Sequence, residues 1–233
     1  MKNRKPIWLI AGSPGGNKQT TISIMQEAFE SCKMNNPSVV YIGAASNDDR
    51  IFFSHIITLL KKAGAGNIVL APSSGKRMRN KFNDIISKSD VLFISGGDVA
   101  LGMENLSRTG VSETIKNAYN CGKLLIGLSA GSIMLGKGWL KWEDPNDDNS
   151  AEIFDCLGIA PIYCDTHAEE DSWEELITLV KLLPPTSSVY GLPSGTALEI
   201  TSDLSIRAHG GVIYVFQKKD GKIISEKLHP LKH

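Results

Sequence analysis

The stretch Leu124–Leu135 reads LLIGLSAGSIML and sets Ser129 between Gly127 and Gly131. A G-x-S-x-G pentapeptide, with an apolar run before it and the helix-compatible run Ser132–Leu135 after it, matches a nucleophile elbow. The turn is so sharp that neighbouring backbone leaves no room for side chains at the flanking positions, and the serine hydroxyl projects into a cleft. The same five residues also serve as a plain tight turn with a passive serine. A second stretch favours the chemical reading, because Ile94-Ser95-Gly96-Gly97-Asp98 closes the preceding apolar run. A Gly-Gly pair lets backbone approach a reacting carbonyl, so the N–H groups of Gly97 and Ala130 are expected to form an oxyanion hole. Each such donor is worth about 3 kcal/mol of barrier.

A serine nucleophile needs a base, and the chain has five histidines. His167, in Tyr163-Cys164-Asp165-Thr166-His167, follows the apolar run Ile159–Cys164 and is expected at a strand end facing the cleft. His55 falls inside a helical pattern and reads as structural, His209 and His229 fall in or near a C-terminal hairpin, and His233 is terminal. The glycine-rich stretch GSPGGNKQT, Gly12–Thr20, invites comparison with a phosphate-binding loop. A Walker loop needs Gly-Lys-Ser/Thr to meet phosphates and magnesium, whereas here the order is Asn17-Lys18-Gln19-Thr20. It reads instead as a strand-to-helix loop bordering the active site.

The elements that must position these residues follow from periodicity. Ile7–Ala11, Val39–Ile42, Ile68–Leu70, Val91–Ile94 and Leu124–Gly127 are short apolar runs bounded by Gly, Pro, Ser, Asn or Asp. Segments 20–33, 50–63 and 111–119 between them carry apolar residues at helical spacing. Continuous apolar strands alternating with helices predict an α/β, doubly wound, mostly parallel sheet with helices on both faces. Ligands bind beyond the carboxyl ends of such strands, where segments 12–18, 95–98 and 128–132 fall. Trp139–Ser150, polar and acidic with a Pro, reads as a loop. Gly211–Gln217 and Lys222–Leu228 around Asp220-Gly221 predict a hairpin that adds antiparallel strands to the sheet.

Composition narrows the function classes. With 233 residues and 42% hydrophobic content, one domain spanning 1–233 is expected. A formal net charge of zero gives no global field for nucleic acid or an anionic membrane, so neither is expected as a partner. The four cysteines form no CxxC pair, which argues against a metal site or a disulfide framework. The apolar run Ile7–Ala11 is too short for a signal segment or a span, and a cytoplasmic location is expected.

Taken together, ISGGD, GLSAGS, CDTH and YGLPSGTALEI resemble the peptidase E and cyanophycinase family of serine peptidases, whose fold is similar to the class I glutamine amidotransferase domain. The resemblance runs from about Ile7 to Ile200. It implies Ser129 as nucleophile, His167 as general base, Gly97 and Ala130 as oxyanion donors, a short peptide as substrate and no cofactor or metal, with a homodimer left open.

Two departures stand out. An acidic residue usually precedes the glycine of the segment corresponding to Leu192-Pro193-Ser194-Gly195-Thr196, and here that position is Ser194. Ser194 then takes the third place in a Ser-His-Ser arrangement, or the carboxylate comes from Asp165, Asp144 or Asp98. Relatives specific for aspartate also place a basic residue soon after the histidine, where this chain has Ala168-Glu169-Glu170-Asp171-Ser172-Trp173-Glu174-Glu175. That run reads as a solvated helix start, and specificity for an N-terminal aspartate is not expected. Two other functions compete with a short-peptide hydrolase. One is an α/β-hydrolase esterase ordered Ser129, then Asp165 or Asp203, then His209 or His229. The other is a non-catalytic binding protein that keeps the pocket.

Overall fold

Uninterrupted apolar runs are stable as strands only when both faces are covered. In the computed structural model, which describes residues 4–13, 17–73, 79–144 and 147–231, both faces are. The first part of the chain alternates β1 (Ile7–Ile10), α1 (Lys18–Ser31), β2 (Val39–Ile42), α2 (Arg50–Lys62), β3 (Ile68–Ala71), α3 (Arg79–Ser87) and β4 (Val91–Ile94). It continues through α4 (Val99–Thr109), α5 (Ser112–Asn120), β5 (Leu124–Leu128) and α6 (Ala130–Leu135). Among the described residues these strands build a seven-stranded sheet of order β11-β10-β1-β5-β4-β2-β3, whose last two members by sequence are β10 (Ala197–Ile200) and β11 (Ile206–His209). The strands β1, β5, β4, β2 and β3 run parallel, while β10 and β11 join antiparallel.

Side chains alternate across each strand, and the helices divide accordingly. Leu9, Ile42, Leu92 and Leu125 pack with Phe82 of α3, Leu106 of α4, Ile115 of α5 and Met134 of α6. Trp8, Tyr41, Phe93 and Ile126 pack on the opposite face with Met25 and Phe29 of α1 and Leu60 of α2. This is the doubly wound arrangement expected from the sequence. The Gly12–Thr20 loop lies partly outside the described residues, as does His233 entirely.

Beyond α6 come β6 (Gly138–Trp142), β7 (Ala151–Asp155), β8 (Tyr163–Thr166), α7 (Glu174–Leu182), β9 (Ser188–Leu192), β12 (Ile213–Lys219) and β13 (Lys222–Leu228). Two expectations need correcting here. The segment read as a loop from Trp139 begins as a strand, because β6 pairs antiparallel with β7 and buries Trp139 and Leu140. The C-terminal hairpin forms around Asp220-Gly221, but it pairs with β9 in a separate sheet of order β13-β12-β9-β8. The antiparallel strands on the main sheet are β10 and β11 instead. None of the described helices is long and apolar enough to cross a membrane.

Candidate active site

Ser129 joins β5 to α6 at φ 52°, ψ −125°. A non-glycine residue held in such a region costs about 1–3 kcal/mol and persists only where its surroundings fix it. Its N–H donates to the Ile10 carbonyl at 2.8 Å, and its carbonyl accepts the Ser132 N–H at 2.7 Å. The flanking glycines are required by contact. A Cβ at Gly127 would stand 2.7 Å from the Gly131 carbonyl oxygen, and one at Gly131 would stand 2.1 Å from that of Ile94. The elbow is therefore wedged against the ends of β1 and β4.

The Gly-Gly pair lies beside it. A Cβ at Gly96 would come 3.1 Å from the Ser129 Cβ, so this face of the loop is bare next to the hydroxyl. Gly97 has φ +140°, and a Cβ there would meet the Ala45 carbonyl oxygen at 2.1 Å. The following residue ties the loop down through Asp98 N–H to the same carbonyl at 2.8 Å. Ala130 opens α6, where N–H groups have no intrahelical acceptor. Among the described residues neither the Gly97 nor the Ala130 N–H has a hydrogen-bond acceptor.

His167 follows β8 in a left-handed conformation, φ 47°, and its N–H donates to the Leu192 carbonyl of β9 at 2.8 Å. This bond extends the parallel pairing Thr166↔Leu192 and turns the ring toward the elbow. Its Nε2 lies 2.7 Å from Ser129 Oγ, a hydrogen bond spanning 38 residues of chain. Among the other described histidines, His209 and His229 sit apart, and His55 borders a cavity that reaches Ser129. His55 is exposed on α2, and His229 is exposed after β13. His209 on β11 contacts Glu27 at 3.0 Å and Glu199 at 3.3 Å and rests on Trp8 with ring centroids 4.4 Å apart.

None of the acids nominated from the sequence hydrogen-bonds the imidazole. Asp98 caps α4, accepting the Leu101 N–H at 2.7 Å. Asp144 is exposed in the loop after β6, with its backbone bonded to Ser150. Asp165 is buried and accepts the Thr166 N–H at 2.7 Å. Ser194 is exposed, and its N–H donates to Glu169 Oε1 at 3.0 Å. Glu169 stands outside the acids expected from the sequence to meet the imidazole. Burial raises its pKa, but hydrogen bonding from Ser194 and the nearby charge of His167 outweigh burial and hold it below the usual range. It lies two residues beyond His167, within the acidic run that reads as a helix start.

The serine stands between two cavities. One, about 270 Å³, is bordered by Gly12, Ser13, Lys18, Phe52, His55 and Leu59, and reaches Gly96, Gly97 and Ser129. Residues after β1, β4 and β5 thus meet at one site, as the strand-end rule requires. The second, about 250 Å³, lies on the His167 side and reaches Trp139, Asp165, Asp171 and Glu175. Among the described residues no cluster of His, Cys, Asp and Glu is arranged to hold a metal ion.

A doubly wound sheet with a strand-to-helix elbow at its carboxyl edge defines an α/β fold with a cleft at the strand ends. Residues 7–207 match the sequence profile of Peptidase family S51, and the chain belongs to that family. It is 27% identical over 160 residues to Peptidase E of Haemophilus influenzae, covering 65% of this chain and 71% of the relative. With Peptidase E of Pasteurella multocida it shares 28% over 128 residues, 52% of this chain and about half, 54%, of the relative. The fold is similar to that of a crystallised peptidase from an acI-B1 Actinobacterium, with a TM-score of 0.75 at 17% identity over 99% of this chain and 96% of that one. A candidate peptidase E from Listeria monocytogenes gives a TM-score of 0.67 at 16% identity, over 89% and 98% of the two chains.

Proposed function

We propose that the protein is a serine-type peptidase that cleaves short peptides, with Ser129 as nucleophile and His167 as general base. The observation that carries this reading is the 2.7 Å contact between Ser129 Oγ and His167 Nε2 at a strained elbow, within reach of proton transfer. Ser129 Oγ attacks the scissile carbonyl carbon while its proton passes to Nε2. The carbonyl oxygen becomes an oxyanion facing the N–H groups of Gly97 and Ala130. Collapse of the tetrahedral intermediate breaks the C–N bond, and the imidazolium returns its proton to the departing amine. Water then attacks the acyl-enzyme, giving its proton to His167, and as the acyl C–Oγ bond breaks the imidazolium returns that proton to Ser129 Oγ and the carboxylic acid leaves.

Family membership and the curated Peptidase E relatives support the peptide as substrate. The third position is assigned to Glu169, whose negative charge favours the imidazolium and whose carboxylate is anchored by Ser194. Lys18 and His55 bring positive or protonatable groups to the cavity opposite His167, a setting suited to the carboxylate end of a short peptide.

Hydrolysis of a dipeptide and tripeptide library, followed by mass spectrometry, tests the assignment. His167→Ala is expected to reduce turnover at least a hundredfold, in the range of general-base contributions of about 10²–10⁴. His209→Ala and His229→Ala leave it within a factor of two. Loss through His209 or His229 with His167 dispensable would transfer the role of base and favour the esterase order.

A further inference from the structure

The cavity on the His167 side is unusual in what lines it. Apart from His167, each titratable side chain along its described wall is a carboxylic acid: Asp165, Asp171 and Glu175. Reading segment 168–175 as a solvated helix start holds for Glu174, exposed in the first turn of α7. Glu175 is half-buried and borders the cavity together with Asp171. Surface acids alone would be unremarkable, but Asp165 is 4% exposed, and among the described residues its carboxylate accepts one hydrogen bond, from the Thr166 N–H to Oδ1. Its Oδ2 is buried with no hydrogen-bond partner among the described residues.

A buried carboxylate without a partner is costly unless a donor or counter-charge meets it. Burial above all, opposed by the Thr166 N–H and reinforced by the charges of Glu175, Asp171 and Glu169, pushes Asp165 up to about 7. Burial and the charges of Asp171 and Glu174 likewise raise Glu175. Trp139, 8% exposed, adds an aromatic surface to the same cavity, and indole faces attract cations.

We infer that this cavity binds a cationic group of the substrate, a protonated amine or a guanidinium, between the buried Asp165 and the outer carboxylates Asp171 and Glu175. This rests on Ser129 being the reacting residue, since the cavity reaches Ser129 and His167 directly. The selected peptides therefore carry positive charge next to the scissile bond, either as a lysine or arginine side chain or as a free N-terminal amine.

Calorimetric titration of the intact protein with three small amides tests this without any turnover. N-acetyl-argininamide offers only a side-chain cation, norleucinamide only an α-ammonium, and N-acetyl-norleucinamide neither. At least one of the cations is expected to bind tenfold or more tightly than the neutral amide, and the tighter one identifies the source of the charge. Asp171→Asn and Glu175→Gln, checked for an unchanged melting temperature, should each weaken that cation at least threefold and the neutral amide not at all. Equal binding of neutral and charged amides, no cation binding at millimolar concentration, or indifference to both substitutions overturns the inference. Labelling of Ser129 by a fluorophosphonate is scored separately. Labelling without cation preference removes only the cavity's assignment, and cation preference without labelling removes only the catalytic reading.

Discussion

At the scale of single residues, His167 is proposed to act as a base although, among the described residues, no carboxylate hydrogen-bonds its imidazole. Glu169 reaches the neighbourhood of His167 from the chain just beyond it, and Ser194, standing where an acid was expected, anchors that carboxylate through its N–H. A charge acting on the imidazolium from an exposed position is screened, so it contributes less than a buried triad acid, whose replacement costs about 10⁴ in turnover in a well-studied protease. Glu169→Gln is expected to lower kcat about tenfold, or about 1.4 kcal/mol of barrier, with KM little changed. Asp98→Asn and Asp144→Asn leave kcat within twofold. Ser194→Glu sets a second carboxylate against Glu169 and should slow the enzyme. A tenfold gain from Ser194→Glu in steady-state assays would instead make position 194 the seat of the acid. The serine, the glycines and His167 can be nominated from the sequence because each meets a steric or reach requirement visible in spacing. Glu169 cannot, because its place beside Ser194 depends on how β8 and β9 bring segments 167–169 and 192–194 together.

At the scale of elements, the parallel strands were legible from their apolar runs, whereas their partners were not. Nothing in residues 213–228 marks β9 rather than the main sheet as the hairpin's neighbour. The strand β6 was hidden because its five residues lead into a polar tail. Helix α4 carries Gly102, which disfavours a helix by about 1 kcal/mol relative to alanine. It is present because a Cβ there would stand 2.6 Å from Met134 Sδ of α6. The β10–β11 edge carries a charge cluster away from the site, in which His209 contacts Glu27 and Glu199, and Arg207 lies 3.6 Å from Glu199. Burial lowers the pKa of His209, but hydrogen bonds and charge from Glu199 and Glu27 outweigh burial and raise it above the ordinary value. Its stabilising contribution is then complete below the unfolded value of about 6.5 and disappears as pH rises through the folded value. Urea unfolding of wild type and His209→Ala should differ more at pH 6 than at pH 9. A difference independent of pH would mean that the histidine acts through packing on Trp8 alone.

At the scale of the whole molecule, the fold gathers distant pieces of chain onto one edge of the sheet. The ends of β1, β4 and β5 supply the bare glycines and the elbow, while the second sheet delivers His167 across from them. Strand alternation made the doubly wound core readable, and the separate sheet carrying His167 was not, because its pairings are set by contacts remote in sequence. We propose that this convergence makes Ser129 a nucleophile. A serine hydroxyl beside a base and two free amide donors reacts with a fluorophosphonate far faster than an ordinary serine. The most direct measurement is therefore to treat the folded protein with such a probe and locate the adduct by peptide mass spectrometry. A single adduct on Ser129, lost in Ser129→Ala and strongly reduced in His167→Ala, is the predicted result. An adduct on another serine, or folded wild-type protein that stays unmodified, would contradict the account.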